Sequence, residues 1–365
     1  MNLLETRIDL DAIAFNTRKI KELVAPAQLM CVVKADAYNH GAAQAARVMS
    51  ENGADQFGVA TLAEALELRE AGITLPILCW IWSPEQKELA RKAVAAGVDL
   101  AVVSTAHADF LAELGKEHPV RVTVKVDTGL HRSGVDEASW AEVFALLRDA
   151  QGIEVTGIFS HLACADEPGN PYTDFQADNF RRAIELGRSL GLALPVNHLS
   201  NSPATLTRPD LRFDMVRPGI ALYGLEPIPE QDHGLREAMS WVGKVTVVKP
   251  VKAGEGTSYS MTWHAERDGY LAVVPAGYAD GVPRAAQGHI RVTIGGRQYP
   301  QVGRVCMDQF VIDLGENPHA VAPGDEAVIF GPDGMSATEL AQGIGTINYE
   351  VICRPTGRTR RVTKP

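Results

Sequence analysis

From residue 28 to residue 224, short apolar runs rich in β-formers alternate with stretches that read as helix. The runs are Gln28–Lys34, Gln56–Thr61, Pro76–Trp82, Asp99–Ser104, Val120–Thr128, Val155–His161, Pro195–Asn201 and Met215–Tyr223. Between them lie segments such as Leu62–Ala71 and Pro84–Ala96, dominated by Ala, Leu, Glu and Lys. Several runs are apolar almost throughout, the pattern of parallel strands covered on both faces by helices. Eight alternations predict a (β/α)8 barrel; an open doubly wound sheet shares the pattern, although no G-x-G-x-x-G follows the first strand. The pattern breaks at Glu226–Ala238, a polar segment with two prolines that reads as a linker. Beyond it, Trp241–Val251, Tyr270–Pro275, His289–Ile294, Gln301–Leu314 and Glu326–Phe330 predict strands, with a hairpin turn at Gly295–Gly296 and one short helix near Ala337–Gln342. The expected organisation is an α/β barrel over 10–232 followed by a mostly β domain over 233–365.

A chain of 365 residues suits two domains, at roughly 150 residues each. Its net charge of −10 makes it a poor general binder of nucleic acid or of anionic membrane. The five cysteines are odd in number and form no C-x-x-C, which argues against a disulfide framework or zinc ribbon and for a reducing cytoplasm. The opening MNLLETRIDL lacks the apolar core of a signal peptide. The longest charge-free run, Ser189–Thr207, is broken by prolines, asparagines and a histidine, so no membrane span is expected.

In a barrel, polar residues at the C-terminal ends of strands face the active site. Lys34 closes an apolar strand, Lys125 lies late in the fifth run, His161 ends the sixth, Asn201 and Ser202 follow the seventh, and Arg217 sits within the eighth. A lysine desolvated there becomes a nucleophile for Schiff-base chemistry; one that snorkels outward does not. Arg217 in an apolar strand needs a partner, whether a structural ion pair, a ligand nitrogen or an anion. Lys125 and Arg132 flank KVDTGLHR, and the two cations suit an anionic substrate as well as a solvated loop. His161 and His198 raise a metal reading, but no H-x-H or H-E-x-x-H spacing supports it. Walker A and G-x-S-x-G are absent, and Cys306 reads as a packed apolar residue rather than a nucleophile.

Taken together, VVKADAYNHG, FGVATLAEA, KVDTGLHRSG, HLACADE, NSPATL, MVRPGIALYG, GTSYS, PAGYADG, VGRVCMDQ and TINYE resemble the alanine racemases, enzymes dependent on pyridoxal 5'-phosphate (PLP), in that family's order along essentially the whole chain. The resemblance implies a barrel plus β domain, with the first nine residues adding a strand to the latter. It implies that Lys34 bears PLP through a Schiff base and acts as one acid/base, with Tyr259 as the opposing one. Tyr38, Asn201, Ser202, Gly219, Ile220 and Tyr349 would surround the cofactor, with Arg217 at the pyridine nitrogen, His161 near Tyr259 and Arg217, and His198 behind. Arg132 would bind the substrate carboxylate, oriented by a carbamylated Lys125. Met307 and Asp308 would reach the substrate, and Asp166, Tyr278 and Arg304 would line its access channel. The family implies a homodimer with shared sites, alanine as substrate, D-alanine for peptidoglycan as the product's use, and no metal.

These roles are chemically coherent. Racemisation takes a proton from one face of Cα and returns one to the other, so it needs two bases. A tyrosine, ordinarily near pKa 10, needs cationic neighbours to serve near neutrality. An arginine at the pyridine nitrogen keeps its own proton, which weakens the electron sink and disfavours side reactions. The chain departs from the family's frequent residues at Asp36, Asn39, Leu130, His131 and Ser260, none of them a catalytic group. The alternatives are a broad-specificity amino-acid racemase, a PLP decarboxylase on a similar barrel, which Arg217 opposes, a non-catalytic PLP-binding protein, which the β domain with Tyr259 opposes, and last a metal hydrolase.

Overall fold

The structure, a computed structural model, describes residues 2–364. The chain divides into two compact units: Ile13–Ala37 with Gly41–Leu235, and the residues up to Ala12 with Tyr38–His40 and those from Arg236 onward. Among the described residues no helix is long and apolar enough to cross a membrane.

The first unit is built on parallel strands Gln28–Val32, Gln56–Val59, Ile77–Cys79, Val98–Val102, Val120–Lys125 and Ile153–Phe159, paired in sequence order, with Met215–Val216 pairing back onto the first. Every strand ends before its apolar run does, so Lys34 stands two residues past its strand and Arg217 one past its own. The expected seventh strand, Pro195–Asn201, is no regular strand; it makes a single bridge, His198 to Phe159. It still closes the ring, because Val196 N–H donates to the Thr156 carbonyl and His198 N–H to that of Ile158, while Asp214 and Arg217 N–H donate to the carbonyls of Asn197 and Ser200. Side chains interrupt the ladder. Asn197 Oδ1 accepts from Ile158 N–H at 3.2 Å, and Asp214 Oδ2 accepts from Asn197 N–H at 2.8 Å. Gly157 makes the closure possible, since a Cβ there would stand 1.6 Å from the Val196 carbonyl oxygen.

The barrel interior is filled by Met30, Leu78, Ala101, Phe159 and Met215, with Trp80, Val103 and Val196 packed against them. Gly58 leaves the space that Trp80 occupies. Helices such as Leu62–Glu70 and Trp140–Asp149 cover the sheet, burying Leu62, Ala65 and Leu68 in the first case and Trp140, Val143, Phe144 and Leu147 in the second, i, i+3, i+6 and i, i+3, i+4, i+7 spacings that share one helix face.

The second unit carries a nine-stranded sheet in the order Val247–Val251, Gly269–Val274, Phe310–Gly315, Arg297–Val302, Arg291–Ile294, Glu326–Phe330, Met239–Lys244, Leu4–Asp9 and Arg360–Lys364. Two expected runs each split, Trp241–Val251 into Met239–Lys244 and Val247–Val251, and Gln301–Leu314 into Arg297–Val302 and Phe310–Gly315. Leu4–Asp9 alternates buried Leu4, Thr6 and Ile8 with partly exposed neighbours, the period-two pattern of a half-buried strand. It pairs antiparallel with Met239–Lys244 and parallel with Arg360–Lys364. The turn at Gly295–Gly296 joins Arg291–Ile294 to Arg297–Val302 with φ of 55° and 76°, values a side chain would resist. Two further elements, helix Asn348–Cys353 and strand Arg360–Lys364, went unread in the sequence.

Candidate active site

At the strand ends of the barrel the sequence places an unusual concentration of cationic groups. Lys34 opens the six-residue helical turn Lys34–Asn39, in which Ala35, Asp36, Ala37, Tyr38 and Asn39 all have φ between 51° and 66°. Left-handed turns of L-residues cost roughly 1–2 kcal/mol per residue, so such a run persists only where surrounding bonds impose it. Within the barrel unit the turn is anchored by Asp36 Oδ1, which accepts from Ala42 N–H at 2.7 Å, and by Ala35 N–H, which donates to Glu64 Oε1 at 2.8 Å.

Arg217 is buried and satisfied without a carboxylate among its bonded partners. Nη1 donates to His198 Nδ1 at 3.0 Å and to the His198 carbonyl at 2.7 Å; Nη2 donates to the carbonyls of Ser160 and Leu199. Burial pushes its pKa down to about 9, so it remains protonated at neutral pH. Because an arginine only donates, His198 Nδ1 is the acceptor and its proton sits on Nε2. Burial, then Arg217, holds His198 neutral, and its ring stacks on Phe159 at 5.2 Å. His161 is likewise held well below the usual histidine range, by burial and then by Arg217, Arg132, Lys125 and Lys34.

Lys125, buried at the end of its strand, donates to Ser133 Oγ. Burial, then Arg132 and Arg217, lowers its pKa to about 8. Arg132 is exposed in a loop that Asp127 ties down, its Oδ1 accepting from Gly129 and His131 N–H. Asp166 is exposed in the loop after His161. Asn201 caps helix Ser202–Thr207, its Oδ1 accepting from Ala204 N–H at 3.3 Å. Ser202 Oγ accepts from Gly219 N–H at 2.8 Å, which joins the Ser202 turn to the Gly219–Ile220 turn.

In the second unit Tyr259 is 69% exposed, on a turn of unusual backbone: Ser258 at φ 62°, ψ −177°, Ser260 at φ 63°, ψ 9°, and Met261 at φ 45°. Gly303 packs against Ser258, so the chain leading to Arg304, which is partly buried, supports this turn. Met307 and Tyr278 are also exposed, on two loops clasped by the Tyr278 N–H to Cys306 carbonyl and Ala279 N–H to Met307 carbonyl bonds. Arg358 spans the buried carboxylate of Asp280 and the exposed one of Asp308. Tyr38 and Tyr349 form a tilted ring pair 6.3 Å apart, and burial pushes the Tyr38 phenol far up.

Sequence reasoning missed Glu64, Ser133, Ser258 and the Asp280–Arg358 pair. The T-x-x-E spacing of Thr61 and Glu64 signals a helix cap in the sequence, but nothing local shows the carboxylate reaching Ala35. Among the described residues no group of three or more His, Cys, Asp or Glu side chains is placed to hold a metal.

A parallel barrel with lysine, arginine and histidine at its strand ends, followed by a separate β domain, is the arrangement of the barrel-type racemases. The sequence model for "Alanine racemase, N-terminal domain" matches residues 8–227, and that for "Alanine racemase, C-terminal domain" matches 238–363. The chain is 70% identical to the alanine racemase of Corynebacterium efficiens over 99% of its own length and 98% of that protein's. The crystal structure of alanine racemase from Corynebacterium glutamicum superposes with a TM-score of 0.91 at 58% identity, covering all of both chains. That from Streptomyces lavendulae gives 0.95 at 41%, covering 100% of this chain and 98% of the other. The chain belongs to the alanine racemase family.

Proposed function

We propose that this protein interconverts L-alanine and D-alanine with PLP, using Lys34 and Tyr259 as the two opposing acid/bases. By family it is an isomerase. The observation that carries the reading is the cluster of cations Lys34, Lys125, Arg132 and Arg217 at the barrel's strand ends, whose charges act on one another and help keep His161 neutral. Positive charge concentrated in a partly desolvated site calls for an anion, and PLP brings a phosphate and a phenolate. The donor set fits it. Lys34 would hold the cofactor covalently, the Ser202 and Gly219–Ile220 turns with Asn201, Tyr38 and Tyr349 would take the phosphate end, and Arg217 and His161 the ring.

When bound, PLP supplies the electron sink that acidifies the substrate's Cα–H. The chain supplies the rest. Lys34 Nζ and Tyr259 Oη each hold or release the proton, on opposite faces. Arg217, fixed by three carbonyls and His198, presents a donor that keeps its proton. Arg132 takes the substrate carboxylate. Lys125, whose low pKa leaves a usable fraction of neutral amine at pH 7 to 8, is suited to carbamylation by carbon dioxide; the resulting anion would hold Arg132. Met307, Asp308, Tyr278, Arg304 and Asp166 would shape access. Tyr259, Met261, Met307 and Ile347 are each more than half exposed, which supports a homodimer in which a second copy covers them. The product would serve peptidoglycan, in the cytoplasm.

The test is D-alanine formation from L-alanine by purified protein with PLP, beside Lys34→Ala. Product from the wild type alone is expected. Full turnover by Lys34→Ala refutes the assignment of Lys34, and no product from folded, PLP-loaded wild type refutes the reaction.

A further inference from the structure

We infer that Glu64 is a positioning residue for Lys34: its carboxylate clamps the left-handed turn that Lys34 opens to the neighbouring strand end and so fixes the direction of the lysine amine. The inference rests on the reading of Lys34 as the residue that bears the cofactor. Glu64 sits three residues into helix Leu62–Glu70, where it completes a capping box with Thr61. A capping-box glutamate reaches back to the N-cap amide alone. Here Oε2 accepts from Thr61 N–H at 3.0 Å and also from Ala60 N–H at 2.8 Å, while Oε1 is turned to Ala35 N–H at 2.8 Å. The backbone ladder between these strands runs as far as Val33 N–H, which donates to the Gly58 carbonyl at 3.0 Å. Beyond that bond the carboxylate continues the link between the two strand ends.

The position matters because Ala35 is the first of five consecutive residues at positive φ. None is glycine, so each resists that conformation. A bond at the first of them holds the backbone next to the Lys34 Cα, and a displacement of about 1 Å at a reacting group costs up to roughly 100-fold in rate. A glutamine cannot substitute. It keeps one oxygen, and its NH2 would face either Ala35 N–H or the Ala60 and Thr61 pair, donor against donor.

The experiment follows covalent attachment of PLP to the full-length apo-protein by visible absorbance, with borohydride reduction and peptide mass analysis to locate the label. Glu64→Gln is expected to slow attachment at Lys34 by about 10- to 100-fold. Glu64→Asp, too short to span both sites, is the second variant should glutamine fail to fold, and is expected to be slowed too. Thr61→Ala removes the other half of the capping box, the Glu64 N–H to Thr61 Oγ1 bond at 3.3 Å, and leaves the bond to Ala35 in place. It is expected to attach PLP at the wild-type rate and to lower thermal stability. Attachment by the Glu64 variants at the wild-type rate overturns the inference, and so does equal slowing by Thr61→Ala, which would reduce Glu64 to a helix cap. Wild-type protein that never labels Lys34 overturns the cofactor reading instead, an outcome separate from the other two.

Discussion

Ser258→Gly should make the protein more stable and the enzyme slower. Ser258 has φ 62° and ψ −177°, a region of backbone space that is essentially glycine's alone, and holding another residue there costs about 1–3 kcal/mol. Its Oγ is buried and has no hydrogen-bond partner, a further cost of about 1–3 kcal/mol. Glycine gives back about 0.4–1 kcal/mol through the greater freedom of its unfolded chain. Even the low ends of the first two terms leave a gain of roughly 1 kcal/mol. With a urea dependence of about 1–3 kcal/mol per molar, the midpoint should rise by about 0.3–1 M. Ser258→Ala is the internal control. It removes the hydroxyl and keeps Cβ, so it should recover the hydroxyl's share alone. The strain is expected to be the price of presenting Tyr259 at a fixed angle, so Ser258→Gly should lower kcat for alanine with little change in KM. Urea unfolding followed by circular dichroism reads the first effect. A midpoint unchanged or lowered in the glycine variant refutes the reasoning, whatever happens to turnover.

Two other outcomes follow from the geometry. Lys125 binds its proton less readily folded, at about 8, than unfolded, near 10.5, so its penalty on stability is full below pH 8 and fades as pH rises from 8 to 10.5. The stability difference between wild type and Lys125→Met should therefore narrow over that window in urea titrations without carbon dioxide; a flat difference contradicts the burial argument. Gly157→Ala would drive a Cβ into the Val196 carbonyl, so the barrel should fail to close, and soluble, folded protein with wild-type circular dichroism would refute this account of closure.

How much of this was legible in the chain depends on how local each feature is. The barrel runs and the Gly295–Gly296 turn could be read because apolar periodicity and the preference of glycine for positive φ are properties of a few consecutive residues. Lys34, Lys125 and Arg217 could be singled out as candidates because a cation closing an apolar run stands out wherever the run goes. Strand ends were overestimated, since apolar residues continue beyond the last ladder bond. The irregular seventh run was invisible because the bonds that replace its ladder come from the Asn197 and Asp214 side chains. The left-handed run Ala35–Asn39 contradicts local preference, as does Ser258. Both conformations are held by distant bonds or contacts, the first by Glu64 on Ala35 and by the Asp36 side chain on Ala42, the second by the packing of Gly303. The sequence by itself determined the alternation of elements, the second β domain and the types of reactive group. The tertiary structure alone decided which amide Glu64 holds, which carbonyls satisfy Arg217, and how far burial lowers Lys125, because each depends on contacts between segments distant in the chain.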